Sequence, residues 1–343
     1  MRKGKRLLQG GLLCLVALSI LFAVLEVAVR IFLPQQETMR WMLPDTRYGH
    51  VMKPDFHQEY LFLGSGYVMD VKTNAQGLRD ENILSPAEGQ QTILFLGDSF
   101  TFGHGVEVAQ RFDTLLDAKL NTEQPQYRLI NTGVQGWGTL QQTRYAQDHF
   151  EEFNPDIVVI TFCRNDPSDT TYFRKKGQSF DAVWFPGKAF IRNHSHLYRL
   201  INKHAFVILF SLYTSEEKQE SEAPQGEAPP VKMSLAEHGI PIAESDWDAT
   251  VQHLHELVAA FEAYNPDGRV LVQSTSPWLE DTRRRLEDFT QTSPAIHVDM
   301  HEPSSKLSVK DRHLPHDPHW SLKMHEMSAE ALHGAITNLN SEK

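Results

Sequence analysis

Two cysteines in 343 residues, Cys14 and Cys163, leave little room for disulfide chemistry. One lies in an apolar N-terminal segment and the other beside a predicted strand end, so no intrachain bridge is expected and the compartment is not identified by cysteine usage. Positive charge is also scarce, with 33 Lys and Arg against 44 Asp and Glu and a formal net charge of −11. No long basic run follows residue 6, which argues against a nucleic-acid partner held through its phosphates. The chain has no cofactor-binding motif, and no His pair has a ligand spacing anchored to a recognisable helical zinc motif, so neither cofactor nor metal is expected. Otherwise the composition is ordinary for a globular protein, 41% hydrophobic and 22% charged, in a length that holds one large domain or two small ones.

One stretch carries no charge at all. From Leu7 to Leu25 there is no Asp, Glu, Lys or Arg, and ~19 residues rising ~1.5 Å each cross most of a ~30 Å hydrocarbon core. Arg2, Lys3, Lys5 and Arg6 precede it. A single-pass helix with a cytoplasmic N-terminus is expected, which puts everything after residue 34 on the outer side, the periplasm in a Gram-negative cell. A cleaved signal peptide is the alternative, with the same destination. No small-x-small cleavage site follows the run, and Glu26 and Arg30 continue a helical pattern to Leu33 before Pro34 ends it. Cys14 follows Leu13, where a lipid-attachment cysteine needs a small residue.

Three regions are expected: residues 1–34 as basic tip and anchor, 35–91 as a β-rich preamble, and 92–343 as the main domain. Pro44, Asp45, Gly49, Pro54, Gly64 and Gly66 punctuate the preamble. Asn74 to Asp80 then turns the chain toward the main domain, where Arg79 either reaches a site rim or holds a loop through an ion pair. From residue 92, strand patterns at Thr92 to Leu96, Tyr127 to Asn131, Ile157 to Phe162, Val270 to Gln273 and Ala295 to Val298 alternate with helical ones. The helices read at Val108 to Leu120, Thr139 to Phe153, Trp247 to Tyr264, Trp278 to Phe289 and Ser321 to Leu339. Such alternation predicts a parallel sheet covered on both faces. A cap-like insertion at 167–245 interrupts it, aromatic and basic at first (Tyr172, Trp184, Phe185) and rich in Glu, Pro, Ser and Gln at 214–231, where disorder is expected.

The chemistry concentrates where strands end. Ile93 to Leu96 breaks into Gly97-Asp98-Ser99, placing Ser99 at the C-terminal edge of a central strand, where open α/β sheets bind ligands. Ser99 is a candidate nucleophile; the plainer alternative is that Asp98 or Ser99 caps a helix or shapes the turn. After the second strand, Gly133-Val134-Gln135-Gly136 allows close backbone approach, with the Gly136 N–H available to a substrate oxygen. After the third comes Asn165, whose amide can donate to the same oxygen. Before the last helix, Asp317-Pro318-His319 supplies a base for a serine hydroxyl and a carboxylate to orient it.

In these residues the chain resembles the SGNH hydrolases, the GDSL-like esterase superfamily, and among them membrane-anchored bacterial members. The resemblance implies Ser99 as nucleophile, Asp317 and His319 as its partners, and Ser99, Gly136 and Asn165 as oxyanion donors, with Asp98 supporting the turn. The expected fold is a three-layer α/β/α, flavodoxin-like sandwich with a central parallel sheet of about five strands. The expected substrate is an ester on a small molecule, glycan or lipid. Two positions depart from the family pattern: Cys163 stands where glycine is usual, and one residue instead of two separates Asp317 from His319. Asp-x-His-Trp also occurs in related polysaccharide O-acetyltransferases, so acyl transfer is an alternative to hydrolysis. A metal-binding or non-catalytic module is the alternative from another class, motivated by the C-terminal run of His301, His313, His316, His319 and His325 with Asp299, Asp311 and Asp317.

Overall fold

A computed structural model of the chain describes residues 2–35, 39–62, 67–80, 86–122, 124–176, 191, 193–201, 242–315 and 317–341. Two compact units emerge. The first holds Met1–Arg40, Leu61–Leu63 and Val183–Gly226, and the second holds Trp41–Tyr60, Gly64–Ala182 and Glu227–Lys343. Most of the expected cap, including Trp184, Phe185 and 214–231, lies outside the described residues, as does His316.

In the first unit, α1 (Arg2–Phe32) contains a 24-residue apolar stretch, Gln9–Phe32, of mean hydropathy 2.8, long enough to cross a membrane. Its leucines face outward; Leu13 is 70% exposed. At its far end the Glu26 carboxylate accepts hydrogen bonds from Ser195 Oγ at 2.7 Å and from the His196 and Leu197 N–H groups at 2.8 and 2.9 Å. These are orphan donors at the start of a helical turn, the kind that a carboxylate satisfies.

Two small strand pairs come first, β1 (Met42–Asp45) antiparallel to β2 (Gly49–Met52), and β3 (His57–Phe62) with β4 (Tyr67–Lys72). The main sheet is formed by β5 (Gln91–Gly97), β6 (Tyr127–Asn131), β7 (Ile157–Phe162), β8 (Arg269–Ser274) and β9 (Ile296–His297). Its order is β6-β5-β7-β8-β9, all parallel, with Phe95 opposite Asn131 and Val159, and Val159 opposite Leu271. This is the flavodoxin-like order, in which the chain reverses direction across the sheet beside β5.

Strands β5 and β7 are buried on both faces, which is why they read as continuous apolar runs. Ile93, Phe95, Ile157, Val159 and Leu271 share a core with α3 (Phe112–Leu120) and with Met324, Leu332 and Ile336 of the last helix. The alternate residues face α4 (Thr139–Phe153), α5 (Asp166–Lys176) and α6 (Glu244–Tyr264), which pack together. α7 (Glu280–Gln291) lies against β8 and β9. The chain closes through two short helices, α8 (His301–Ser305) and α9 (Val309–Arg312), a hairpin of β10 (His313–Leu314) with β11 (Asp317–Trp320), and α10 (Leu322–Ser341).

Two differences from the sequence reading have local causes. An additional helical turn, α2 (Ser99–Phe102), precedes the expected one because the Asp98 side chain caps it; Gly103, at φ 77°, ends that turn, and the expected segment forms as a 3-10 turn at Val108–Gln110 followed by α3 from Phe112. Helix α5 occupies the start of the expected insertion. Its weak apolar periodicity hid it, although Asp166 and Asp169 in its first turn suit a helix N-terminus.

Arg79 is a structural clamp, not a rim residue. Only 1% exposed, it donates to the carbonyls of Asp70, Phe102, Gly103 and Val106 at 2.8 to 3.2 Å. Buried Arg111 donates in turn to the Arg79 carbonyl at 2.6 Å and pairs with Asp113. Burial, and then the Arg111 charge, lower the Arg79 guanidinium to about 10. Arg79→Ala strands several buried carbonyls at once and should lower the unfolding free energy by about 3 kcal/mol or more, seen as a lower urea midpoint. A loss below about 1 kcal/mol would contradict this role.

Candidate active site

Ser99 is the first residue of α2, directly beyond the C-terminal end of β5. Asp98 Oδ1 accepts the Phe100 N–H at 3.0 Å, fixing the turn. From β11, His319 places Nε2 at 2.8 Å from Ser99 Oγ. Its Nδ1 is hydrogen-bonded to Asp317 Oδ1, which also accepts the His319 N–H at 2.9 Å. The carboxylate needs a donor, so Nδ1 carries the proton and the Nε2 lone pair faces the serine hydroxyl. An imidazole held this way can accept a proton from Ser99. Burial would raise the Asp317 carboxyl, yet the His319 hydrogen bond and charge, with a further contribution from His104, hold it well below the usual carboxylate range.

The loop after β6 packs directly on α2. A Cβ at Gly133 would lie 2.4 Å from the Phe102 nitrogen, so only glycine permits this approach. Gly136, at φ +76°, follows in the same loop. Neither the Ser99 nor the Gly136 N–H has an acceptor among the described residues, as befits donors left over at a helix start and an exposed turn. Asn165 directs its Nδ2 to Asp169 Oδ2 at 2.6 Å, and its Oδ1 contacts the Cys163 thiol. The second amide hydrogen is not used by that bond.

Behind this loop lie three acids. Burial raises the Asp98 carboxyl and raises Asp166 well above its ordinary range. It pushes the Cys163 thiol up as well, with Asp98 and Asp166 adding to the effect, so Cys163 stays protonated and inert. Burial also lifts Asp169 to about 7, against the hydrogen bond from Asn165.

Four residues near the site escaped the sequence reading. His104 is 5% exposed, and its ring centroid lies 4.1 Å from that of His319. Gln135 bonds His104 Nδ1 through Nε2, accepts from Trp41 Nε1 at 3.0 Å, and accepts from His50 Nε2 on its carbonyl at 2.7 Å. The signal available for His104 was its place between Gly103 and Gly105, both at positive φ. His104, Asp317 and His319 together offer three potential metal-ligating atoms within 4.8 Å of one another. Elsewhere in the histidine-rich stretch, His301 bonds the Pro277 carbonyl, His313 bonds the Pro318 carbonyl, and buried His325 accepts the Phe112 N–H.

A serine, imidazole and carboxylate in one hydrogen-bonded chain at the C-terminal edge of a flavodoxin-like sheet define a class, the serine hydrolases of ester bonds. The GDSL-like Lipase/Acylhydrolase family matches residues 95–302, and the chain belongs to it as an ester-bond hydrolase. That span contains Ser99, Gly136 and Asn165 and ends before Asp317. Among solved structures, the esterase EstA from Pseudoalteromonas sp. is 15% identical with a TM-score of 0.42, covering 74% of this chain and 100% of its own. The Clostridium thermocellum family 3 carbohydrate esterase is 12% identical with a TM-score of 0.42, covering 74% and 98%. A lipase from a goat rumen metagenome is 13% identical with a TM-score of 0.41, covering 72% and 97%. No curated protein matches the chain.

The raised Asp169 carboxyl has a testable sign. A carboxyl that holds its proton more tightly when folded loses stability as pH climbs from about 4, its unfolded value, to about 7. Asp169→Asn should therefore add roughly 2 kcal/mol at pH 8 and almost nothing at pH 4, the full linkage value being halved because Asp169 is only half-buried. Urea unfolding at both pH values checks this, and an equal gain at both would contradict it.

Proposed function

We propose that the chain is an extracytoplasmic serine esterase of the SGNH type, acting through an acyl-serine on acyl or acetyl esters of cell-envelope glycans or lipids. The observation that carries this reading is the chain Ser99–His319–Asp317, with 2.8 Å between Ser99 Oγ and His319 Nε2. As Oγ bonds to the ester carbonyl carbon, its proton passes to Nε2 and an electron pair moves onto the carbonyl oxygen. Asp317 holds the tautomer and stabilises the imidazolium. The N–H groups of Ser99 and Gly136 and the Asn165 amide are assigned to the oxyanion. His319 then returns the proton to the leaving alkoxide as its bond to carbon breaks, and water repeats the sequence on the acyl-Ser99. Asp98 supports the turn.

The outward location is supported by the 24-residue apolar helix and the basic residues before it. The second reading, O-acetyl transfer, is favoured by Asp317-Pro318-His319-Trp320, which resembles the polysaccharide O-acetyltransferase pattern. The two readings share the acyl-serine and differ in whether water or a sugar hydroxyl attacks it.

The full chain in detergent should release p-nitrophenol from p-nitrophenyl acetate, and Ser99→Ala should abolish turnover. Asn165→Ala should lower kcat by about 100- to 1000-fold without unfolding the protein; less than about tenfold would remove Asn165 from the oxyanion set. With a soluble oligosaccharide present, free acetate marks the hydrolase and an acetylated sugar marks the transferase. A folded wild type with no turnover and no organophosphonate label on Ser99 would overturn the serine mechanism.

A further inference from the structure

Two carboxylate oxygens of Asp317 face two histidines. Oδ1 is committed to His319, which bonds it through both the backbone N–H and Nδ1. Oδ2 faces His104 Nε2 at 3.9 Å. The tautomer of His104 follows from a chain of donors. Indole N–H groups only donate, so the bond from Trp41 Nε1 identifies the Gln135 atom at 3.0 Å as Oε1. The other terminal atom of Gln135 is then the amide nitrogen, which donates to His104 Nδ1. With Nδ1 accepting, the ring hydrogen sits on Nε2 and points toward Asp317. An N–H there, and not a lone pair, makes the cluster of His104, Asp317 and His319 a hydrogen-bonding array more readily than a metal site.

The chain is built to hold this direction. Trp41 is fully buried, stacked on Phe102 at 6.0 Å and edge-on to Tyr60 at 5.3 Å. Gln135 is 5% exposed and also tied through its carbonyl to His50. The backbone around His104 is clamped by Arg79 on the carbonyls of Gly103 and Val106. A Cβ on Gly105, at φ +83°, would strike Leu314 at 2.1 Å.

We propose that His104 is a positioning residue for the reaction: its Nε2–H holds the second oxygen of Asp317, so that the carboxylate cannot rotate away from His319. This inference rests on the triad reading above. An approach of roughly 1 Å would convert the present 3.9 Å separation into a hydrogen bond, a tightening common when a site closes on its substrate. Trp41, in the preamble, thereby sets the orientation of a carboxylate 276 positions later through Gln135 and His104.

The test compares His104→Leu, which removes the donor, with His104→Gln, whose amide nitrogen reaches about as far as Nε2. On p-nitrophenyl acetate, His104→Leu should lower kcat roughly 10- to 100-fold with KM nearly unchanged, and His104→Gln should recover most of it. Equal loss in both folded variants would mean that His104 only fills space, and a loss under about twofold in His104→Leu would overturn the proposal. A readout independent of turnover separates this from failure of the esterase reading. The strongly downfield NMR signal of the His319 Nδ1 proton should shift or broaden in His104→Leu and return in His104→Gln. An unchanged signal in His104→Leu overturns the positioning role, whereas an inactive wild type with the expected signal changes overturns the esterase reading alone.

Discussion

The hydrogen bond between Ser99 Oγ and His319 Nε2 joins residues 220 positions apart, and both sides of it are determined by backbone, not by long flexible side chains. Ser99 is delivered by the end of a strand buried on both faces and by a four-residue helix that begins at that point. His319 is delivered by a short strand whose next residue, Trp320, is fully buried and donates to the Thr275 carbonyl at 2.7 Å. A 2.8 Å contact built from such elements costs little ordering entropy when substrate arrives, because both partners are already positioned by their backbones. The rest of the main sheet serves to hold these two ends in register.

The preamble contributes polar anchors as well as core. Trp41, His50 and Arg79 are all buried, and each satisfies loop groups in the main body: Gln135 for the first two and several carbonyls for Arg79. Loops at a sheet edge expose backbone groups that must find partners. Here a segment before the sheet supplies them, so the loops around the site are tied by hydrogen bonds although they are not regular structure. Behind the site, burial raises the Asp166 carboxyl and the Cys163 thiol, which disfavours their charged forms in the interior beneath Ser99.

The central fold was legible because its strands are apolar on both faces and its helices amphipathic. Tyr127–Asn131, Ile157–Phe162 and Thr139–Phe153 have the bounds that periodicity predicts. Ser99, Asp317 and His319 were legible for a different reason: their chemistry recurs at strand ends, and the structure gathers these three into one hydrogen-bonded chain. Helix α5 was not legible, because its contacts are made by polar residues such as Asp166 and Thr170 and leave no apolar stripe. His104 had only its two flanking glycines to mark it. A lone histidine between glycines carries no periodic signal, and its tautomer depends on Trp41 and Gln135, neither of which is its neighbour in sequence.

The spacing of Asp317 and His319 departs from the usual family pattern, and the local backbone accounts for it. In an extended strand, side chains two positions apart emerge on one face. Asp317 and His319 in β11 therefore point the same way, and Asp317 Oδ1 reaches both the N–H and Nδ1 of His319. Trp320 turns to the opposite face and into the core. Pro318, between them, has no N–H to donate, which suits a two-stranded hairpin, and its carbonyl still accepts from His313 Nδ1 at 2.7 Å. One extra residue between the acid and the base would break this alternation and send Asp317 and His319 to opposite faces of the hairpin. With a single intervening residue, the pleat of the strand itself aligns the carboxylate with the imidazole.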